Sequence, residues 1–224
     1  MRDMAEPITP THFHESEGTE DWRVVGEGAC AWFVAPSLAD GARLATAICG
    51  LAGLDAHHPD LDLRHDGVLV RLVSTGDGRY GLADRDLDLA REISVIARDL
   101  GLAADPSGVQ SVQLTLDAAV TDRVLPFWRA VLGYADRGDG TGEDLVDPRG
   151  RGPALWFQHM DPPRQQRNRL HVDLWVPYDE AERRIVDALQ AGGHLISDEH
   201  APMWWTLADP EGNEVDIATT SGRD

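Results

Sequence analysis

Two adjacent histidines and a proline, His57-His58-Pro59, lie between a helix-patterned run from Ser37 to Leu54 and a strand-patterned run from Val68 to Val73. Imidazole is the side chain whose ordinary pKa falls nearest neutrality, so each ring can give or take a proton under physiological conditions. The proline pushes the preceding residue into an extended conformation, and the two rings are therefore expected to project in different directions. One could hold a substrate while the other moves a proton. Taken alone, the tripeptide fits a pair of solvated loop residues at least as well, so its meaning depends on the elements around it.

Those elements come in a definite order from about Trp22 to Leu102. A strand pattern at Ala29 to Val34 is followed by a helix from Ser37, then by Ala56-His57-His58-Pro59-Asp60 and a strand at Val68 to Val73. Ser74-Thr75 comes next, and Gly81-Leu82-Ala83-Asp84-Arg85-Asp86-Leu87-Asp88-Leu89-Ala90 opens a second long helix. This stretch resembles the pterin-4a-carbinolamine dehydratase family. The resemblance implies a βαββα domain in which a histidine pair, a further histidine after Ser-Thr and an aspartate at the start of the last helix surround a bound pterin, from which water is eliminated. It assigns the pair to His57 and His58 and the aspartate to Asp86, with Pro59 and Thr75 beside the substrate.

Two positions depart from the family pattern. Gly76 stands where the third histidine is expected, and His65 replaces an aromatic six residues after Pro59. Elimination of hydroxide needs an acid at the leaving oxygen and a base at the amine proton, each worth about 10²–10⁴ in rate. His65 is the candidate replacement base; a retained pocket with altered chemistry is the other outcome.

The chain has 224 residues, enough for two domains, and a formal charge of -19, which opposes binding to nucleic-acid backbones and anionic lipid surfaces. All 20 of its basic residues are arginine, which removes Schiff-base chemistry and lysine-dependent phosphate loops. No apolar run approaches the roughly 18 residues of a membrane span, and a cytoplasmic protein is expected. Cys30 and Cys49 lie in apolar contexts without metal-type spacing and are expected to be buried free thiols. Residues 1–20 read as an acidic flexible tail, 21–103 as the first domain, 104–109 as a linker and 110–220 as a second domain.

In that second domain Val112 to Leu116, Ala154 to Phe157, Leu170 to Val176, Trp204 to Leu207 and Glu214 to Ala218 have strand character, and Thr121 to Leu132 and Asp179 to Ala191 have helical spacing. The order repeats, so a duplicated βαβββ domain with a common cleft is expected. Leu116-Asp117, Phe127-Trp128-Arg129-Ala130-Val131-Leu132-Gly133, Asn168-Arg169-Leu170-His171-Val172-Asp173-Leu174 and Leu207-Ala208-Asp209-Pro210-Glu211-Gly212-Asn213-Glu214-Val215-Asp216 carry a resemblance to the glyoxalase/bleomycin-resistance group of the vicinal-oxygen-chelate superfamily.

For metal-dependent members, that resemblance places ligands at Gln113, Gln158, His171 and Asp216, with Glu214 sharing the strand face of Asp216. Two neutral amides weaken such a site, and the expectation is that no cofactor is required and that these groups hydrogen-bond one another or an organic ligand. Five tryptophans, Trp128, Trp156, Trp175, Trp204 and Trp205, fall in this half. Adjacent strand residues face opposite ways, so Trp204 and Trp205 cannot share one core, and one of them is the candidate stacking surface. No role is expected for His159, His194 or His200.

The sequence thus predicts an α+β protein, a dehydratase-like βαββα domain followed by a glyoxalase-like domain, acting as a lyase on a pterin or related heterocycle and forming a homo-oligomer. Two rival readings are a metal-assisted enzyme in the second cleft and a non-catalytic small-molecule binding protein.

Overall fold

The computed structural model describes residues 7–26, 28–54, 57–76, 79–159, 172–176, 179–219 and 221. The chain divides after Val112 into two compact units.

The first unit contains β1 (Pro7–Ile8), α1 (Pro10–Glu15), β2 (Arg23–Val25), β3 (Gly28–Val34), α2 (Leu38–Cys49), β4 (Asp60–Arg64), β5 (Gly67–Leu72), β6 (Ser74–Gly76), β7 (Arg79–Ala83) and α3 (Asp84–Asp99). Strands β2-β3-β5-β4 form an antiparallel sheet, and β1-β7-β6 form a smaller one. Alternation along β3 and β5 turns Ala29, Ala31, Phe33, Val68, Val70 and Leu72 toward the core, where Leu44 and Ile48 of α2 and Ala90 and Ile93 of α3 meet them. Helix α2 begins at Ser37, whose hydroxyl oxygen accepts the Asp40 amide at 3.2 Å, and its last turn is closed by Gly50. The expected βαββα order is present, and β6 and β7 are added between β5 and the second helix.

Residues 7–20 are not a loose tail. β1 pairs with β7, Phe13 is fully buried among the core residues, and the Thr19 hydroxyl donates to the Phe13 carbonyl at 2.8 Å. The acidic composition hid this because the anchoring residues, Ile8, Phe13 and Trp22, are spaced too irregularly to form a period. The expected linker is ordered as well. The Val34 amide donates to the Ala103 carbonyl at 2.9 Å and the Asp105 amide to the Trp32 carbonyl at 2.8 Å, so this segment runs along β3 where β2 has ended. A short 3₁₀ turn at Pro106–Gly108 follows, opened by the Asp105 carboxylate accepting the Ser107 amide.

The second unit contains β8 (Gln113–Ala118), α4 (Thr121–Leu132), β9 (Ala135–Asp136), β10 (Asp144–Val146) and β11 (Ala154–His159). These are followed by β12 (Asp173–Trp175), α5 (Ala181–Gln190), β13 (His194–Ser197), β14 (Trp204–Ala208) and β15 (Glu214–Ala218). The sheet orders are β8-β11-β10-β9 and β12-β15-β14-β13, the same path twice, with first and last strands parallel in each half. The duplication expected from the sequence is therefore present. Helices α4 and α5 lie over a shared core of Phe127, Val131, Phe157, Ala188, Leu207 and Ile217.

Each half also carries the same turn before its last strand. Asp147 Oδ1 accepts the Arg149 amide and Oδ2 those of Arg151 and Gly152; Asp209 Oδ1 accepts the amides of Glu211 and Asn213. Gly150 and Gly212 supply the positive φ that each turn needs, 63° and 90°. Asp209 is buried, and its Oδ2 takes the Trp128 indole N–H at 2.9 Å, locking the turn to α4. Cys30 is a buried thiol as expected, pushed up to about 11 chiefly by burial, whereas Cys49 on the last turn of α2 is exposed. Among the described residues, no helix is long and apolar enough to cross a membrane.

Candidate active site

Asp86 is the third residue of α3, where a carboxylate can reach back to the free amides of the helix start. Its Oδ2 accepts the Ala83 amide at 2.8 Å and the Ser74 hydroxyl at 2.7 Å, and the residue is fully buried. The other oxygen, Oδ1, lies 2.6 Å from His57 Nε2. With Asp86 as acceptor, Nε2 carries the hydrogen, and Nδ1 is the ring atom left to exchange a proton with a ligand. The His57 side chain is 9% exposed, so the ring is largely buried rather than free in solvent.

The corner bearing His57 is fixed from both sides. The His57 amide donates to the Leu54 carbonyl, and Asp60, directly after Pro59, receives Arg71 Nε and Nη2 at 3.0 and 2.6 Å from the neighbouring strand. His58 is exposed and Pro59 half-buried beside it. Thr75 is exposed on β6 opposite Tyr80, and Gly76 faces Arg79 across the same pair of strands. The structure thus joins His57, Asp86 and Ser74 and sets His58 beside them in sequence. Ser74 escaped the sequence reading, which took the Ser-Thr pair as a landmark and assigned contact to Thr75.

His65 is not part of this group. It occupies the β4–β5 turn, 91% exposed and 3.4 Å from the Asp66 carboxylate. The site lies at the opposite end of that hairpin, five strand residues away or roughly 16 Å at about 3.3 Å per residue. A residue six places after the proline falls at the hairpin tip because β4 is five residues long and runs away from the site.

In the second unit, Gln113 and Gln158, two of the four positions expected around a metal, do not converge. Gln113 is registered with Ala154, while Gln158 is registered with Asp117, four residues further along the same pair of strands. That separates the two amides by roughly 13 Å, beyond joint coordination of one ion. His171 lies outside the described residues. Asp216 accepts the Thr206 hydroxyl at 2.6 Å and is registered with Asp173 on its other side, and Glu214 lies two residues before it on the same face. The donor set as read from the sequence does not fit a four-ligand centre, and among the described residues no group of three or more His, Cys, Asp or Glu is arranged to hold a metal.

Trp205 packs against the second core, so Trp204 faces the other way, as strand alternation requires. Its ring is stacked on His200, centroids 4.2 Å apart and planes 27° apart. His200, given no role from sequence, is thus the neighbour that braces this indole.

Both units have relatives among known proteins. Residues 113–218 match the family model described as a glyoxalase-like domain. Solved structures similar to part of the chain include a glyoxalase/bleomycin resistance protein/dioxygenase family enzyme from Burkholderia phytofirmans PsJN, 15% identical with TM-score 0.39, covering 48% of this chain and 95% of that one. A glyoxalase-related enzyme from Fulvimarina pelagi is 18% identical with TM-score 0.39, covering 50% and 88%. Over 78 residues in the N-terminal part, the chain is 35% identical to the "Putative pterin-4-alpha-carbinolamine dehydratase" of Nocardia farcinica (strain IFM 10152), a match covering 35% of this chain and 80% of that protein. A protein of the same name from Mycobacterium sp. (strain KMS) is 36% identical over 61 residues, 27% of this chain and 63% of its own length.

Fold and sequence together define a two-unit α+β protein that joins a dehydratase-like unit to a glyoxalase-like one. Through its first unit, the chain belongs to the pterin-4-alpha-carbinolamine dehydratase family.

Proposed function

We propose that the first unit is a lyase site that removes water from a carbinolamine carbon of a pterin or closely related heterocycle. The observation that carries this reading is the His57 Nε2 to Asp86 Oδ1 contact of 2.6 Å, made by a buried carboxylate whose other oxygen is held by Ser74 and Ala83. A fixed imidazole with one nitrogen committed to a carboxylate is a ring whose second nitrogen is aimed and ready for proton transfer. In the reaction, one of the pair His57 and His58 protonates the hydroxyl, which departs as water. The adjacent ring nitrogen of the substrate supplies the electron pair for the new C=N bond, and the other histidine takes the proton it sheds. Protons balance, and the chemistry needs neither metal nor redox partner.

The position of His65 favours one rival: with no imidazole at Gly76 and His65 at the far end of its hairpin, the same pocket would bind the heterocycle without turning it over. Dehydration of 4a-hydroxytetrahydropterin by the full chain separates the two. Turnover that falls about 10²–10⁴-fold in His57→Ala and in His58→Ala, and rises in Gly76→His, supports the lyase. A wild-type chain that binds a tetrahydropterin but does not turn over supports the binding protein. Activity that survives both histidine changes overturns the assignment of the pair.

A further inference from the structure

We infer that His14 is a pH-operated latch, closed while its ring is neutral and opened by protonation, that holds the end of α1 over the outer edge of strand β2. His14 Nε2 accepts the Val24 amide hydrogen at 3.0 Å. Strand β2 is the end strand of its sheet, with β3 as its one neighbour there, and the Val24 N–H is spent on the ring instead of on a further strand. An imidazole nitrogen accepts only while it lacks a proton, so Nδ1 carries the ring's hydrogen and the ring is neutral in the closed state. A proton added at Nε2 turns the acceptor into a donor, and two N–H groups then face each other. The bond is lost, and the edge amide must turn to water.

The surroundings make this a local switch. His14 is exposed, so a proton reaches it from solvent without unfolding. The rest of the segment is tied down by groups that do not titrate near neutrality: Phe13 is buried in the core, the Thr19 hydroxyl donates to the Phe13 carbonyl at 2.8 Å, and Arg91 Nε of α3 donates to the Glu17 carbonyl at 2.8 Å. Opening therefore frees the His14 contact while the chain stays docked. The charged or titratable groups on the neighbouring segments are His12 and Glu15 on α1, Glu17, Glu20 and Asp21 in the turn after it, Arg23 on β2 and Arg91 on α3. Arg23 Nη1 is committed to the Glu20 and Trp22 carbonyls, and among the described residues none of these groups makes an ion pair with His14. No carboxylate thus holds the protonated ring in place of the lost bond. His12, exposed on the same helix, enters hydrogen bonds to side chains through its backbone alone and is a built-in control. The latch is independent of the dehydratase reading.

Amide hydrogen exchange of the isotope-labelled full chain, followed by NMR at roughly pH 8 and roughly pH 5, spans the range in which histidine changes charge. With rates corrected for the intrinsic pH dependence of exchange, Val24 protection in the parent chain should fall about 3–10-fold at the lower pH, the range expected for one hydrogen bond, while the β3–β5 ladder stays protected. Long-range nitrogen–proton spectra at the higher pH should show His14 with its hydrogen on Nδ1. His14→Ala should leave Val24 unprotected at both values. His14→Gln, whose side-chain carbonyl takes the place of Nε2 and does not titrate, should protect it at both. His12→Ala should match the parent. A hydrogen on Nε2 at the higher pH, equal Val24 protection at both pH values in the parent, protection retained in His14→Ala, or the same acid loss in His14→Gln would each overturn the inference.

Discussion

Asp86 performs two tasks with one carboxylate: its Oδ2 closes the first turn of α3 and its Oδ1 orients His57. The Ser74 hydroxyl reaches the same Oδ2 from β6, so three elements meet at one buried group. Ser74→Ala should cost about 1.5–3 kcal/mol, the range for hydrogen bonds to charged groups, read by denaturant unfolding. In an active enzyme, kcat should fall more than KM changes, and Ser74→Thr, which keeps the hydroxyl, should recover most of it. A KM effect alone would show that Ser74 touches substrate instead. His57 and Asp86 were legible in the sequence because the family motif labels them. Ser74 was not, because a short polar residue at a strand start carries no periodic or motif signal, and only the fold shows that its hydroxyl faces a carboxylate 12 positions away.

At the scale of elements, the long periodic segments were readable: β3, α2, β5, α3, α4 and β15 all appear where their patterns lie. The pieces that escaped are short strands such as β9 and β10, two and three residues long, whose pairing depends on neighbours brought in by the turn after them. That turn carries its own pH signature. Burial would raise the Asp147 carboxyl, but the Arg149, Arg151 and Gly152 amides, helped by the Arg151 charge, bring it below the ordinary value. A depressed carboxyl contributes stability that is present above its unfolded value, near 3.9, and is lost as pH falls through the folded one. Unfolding free energies at pH 7 and pH 3 should therefore show a smaller acid loss for Asp147→Asn than for the parent chain, together with a lower starting stability at pH 7. An unchanged acid slope would mean that the three amides hold the neutral and charged forms equally.

For the whole molecule, the two-part architecture was legible, since each half carries its own motifs, while its edges were not. Phe13 and β1 belong to the first core, so deleting residues 1–20 should destabilise the first unit instead of trimming an idle tail. Truncating Phe13 alone to alanine should cost about 3–5 kcal/mol, the usual range for a buried Phe, measured as a lower unfolding midpoint of the first transition. Wild-type stability after the deletion would show that β1 and α1 dock without contributing. Misreading the edges has one physical cause. Composition registers charge and small residues along the chain, whereas a single buried aromatic or two backbone hydrogen bonds suffice to tie such a segment down.

The segment leaving the first unit also sets how the protein answers to load. Residues 103–105 lie antiparallel along β3 and are held there by the Ala103 and Asp105 backbone bonds. Tension applied at the C-terminal side meets the Asp105 bond first and the Ala103 bond second. Their release frees residues 103–109, roughly 25 Å of extended chain, before any force reaches α3 and the carboxylate at its start. The strip on β3, with Ala104 packed on the first core, therefore stands between such a load and the His57–Asp86 pair.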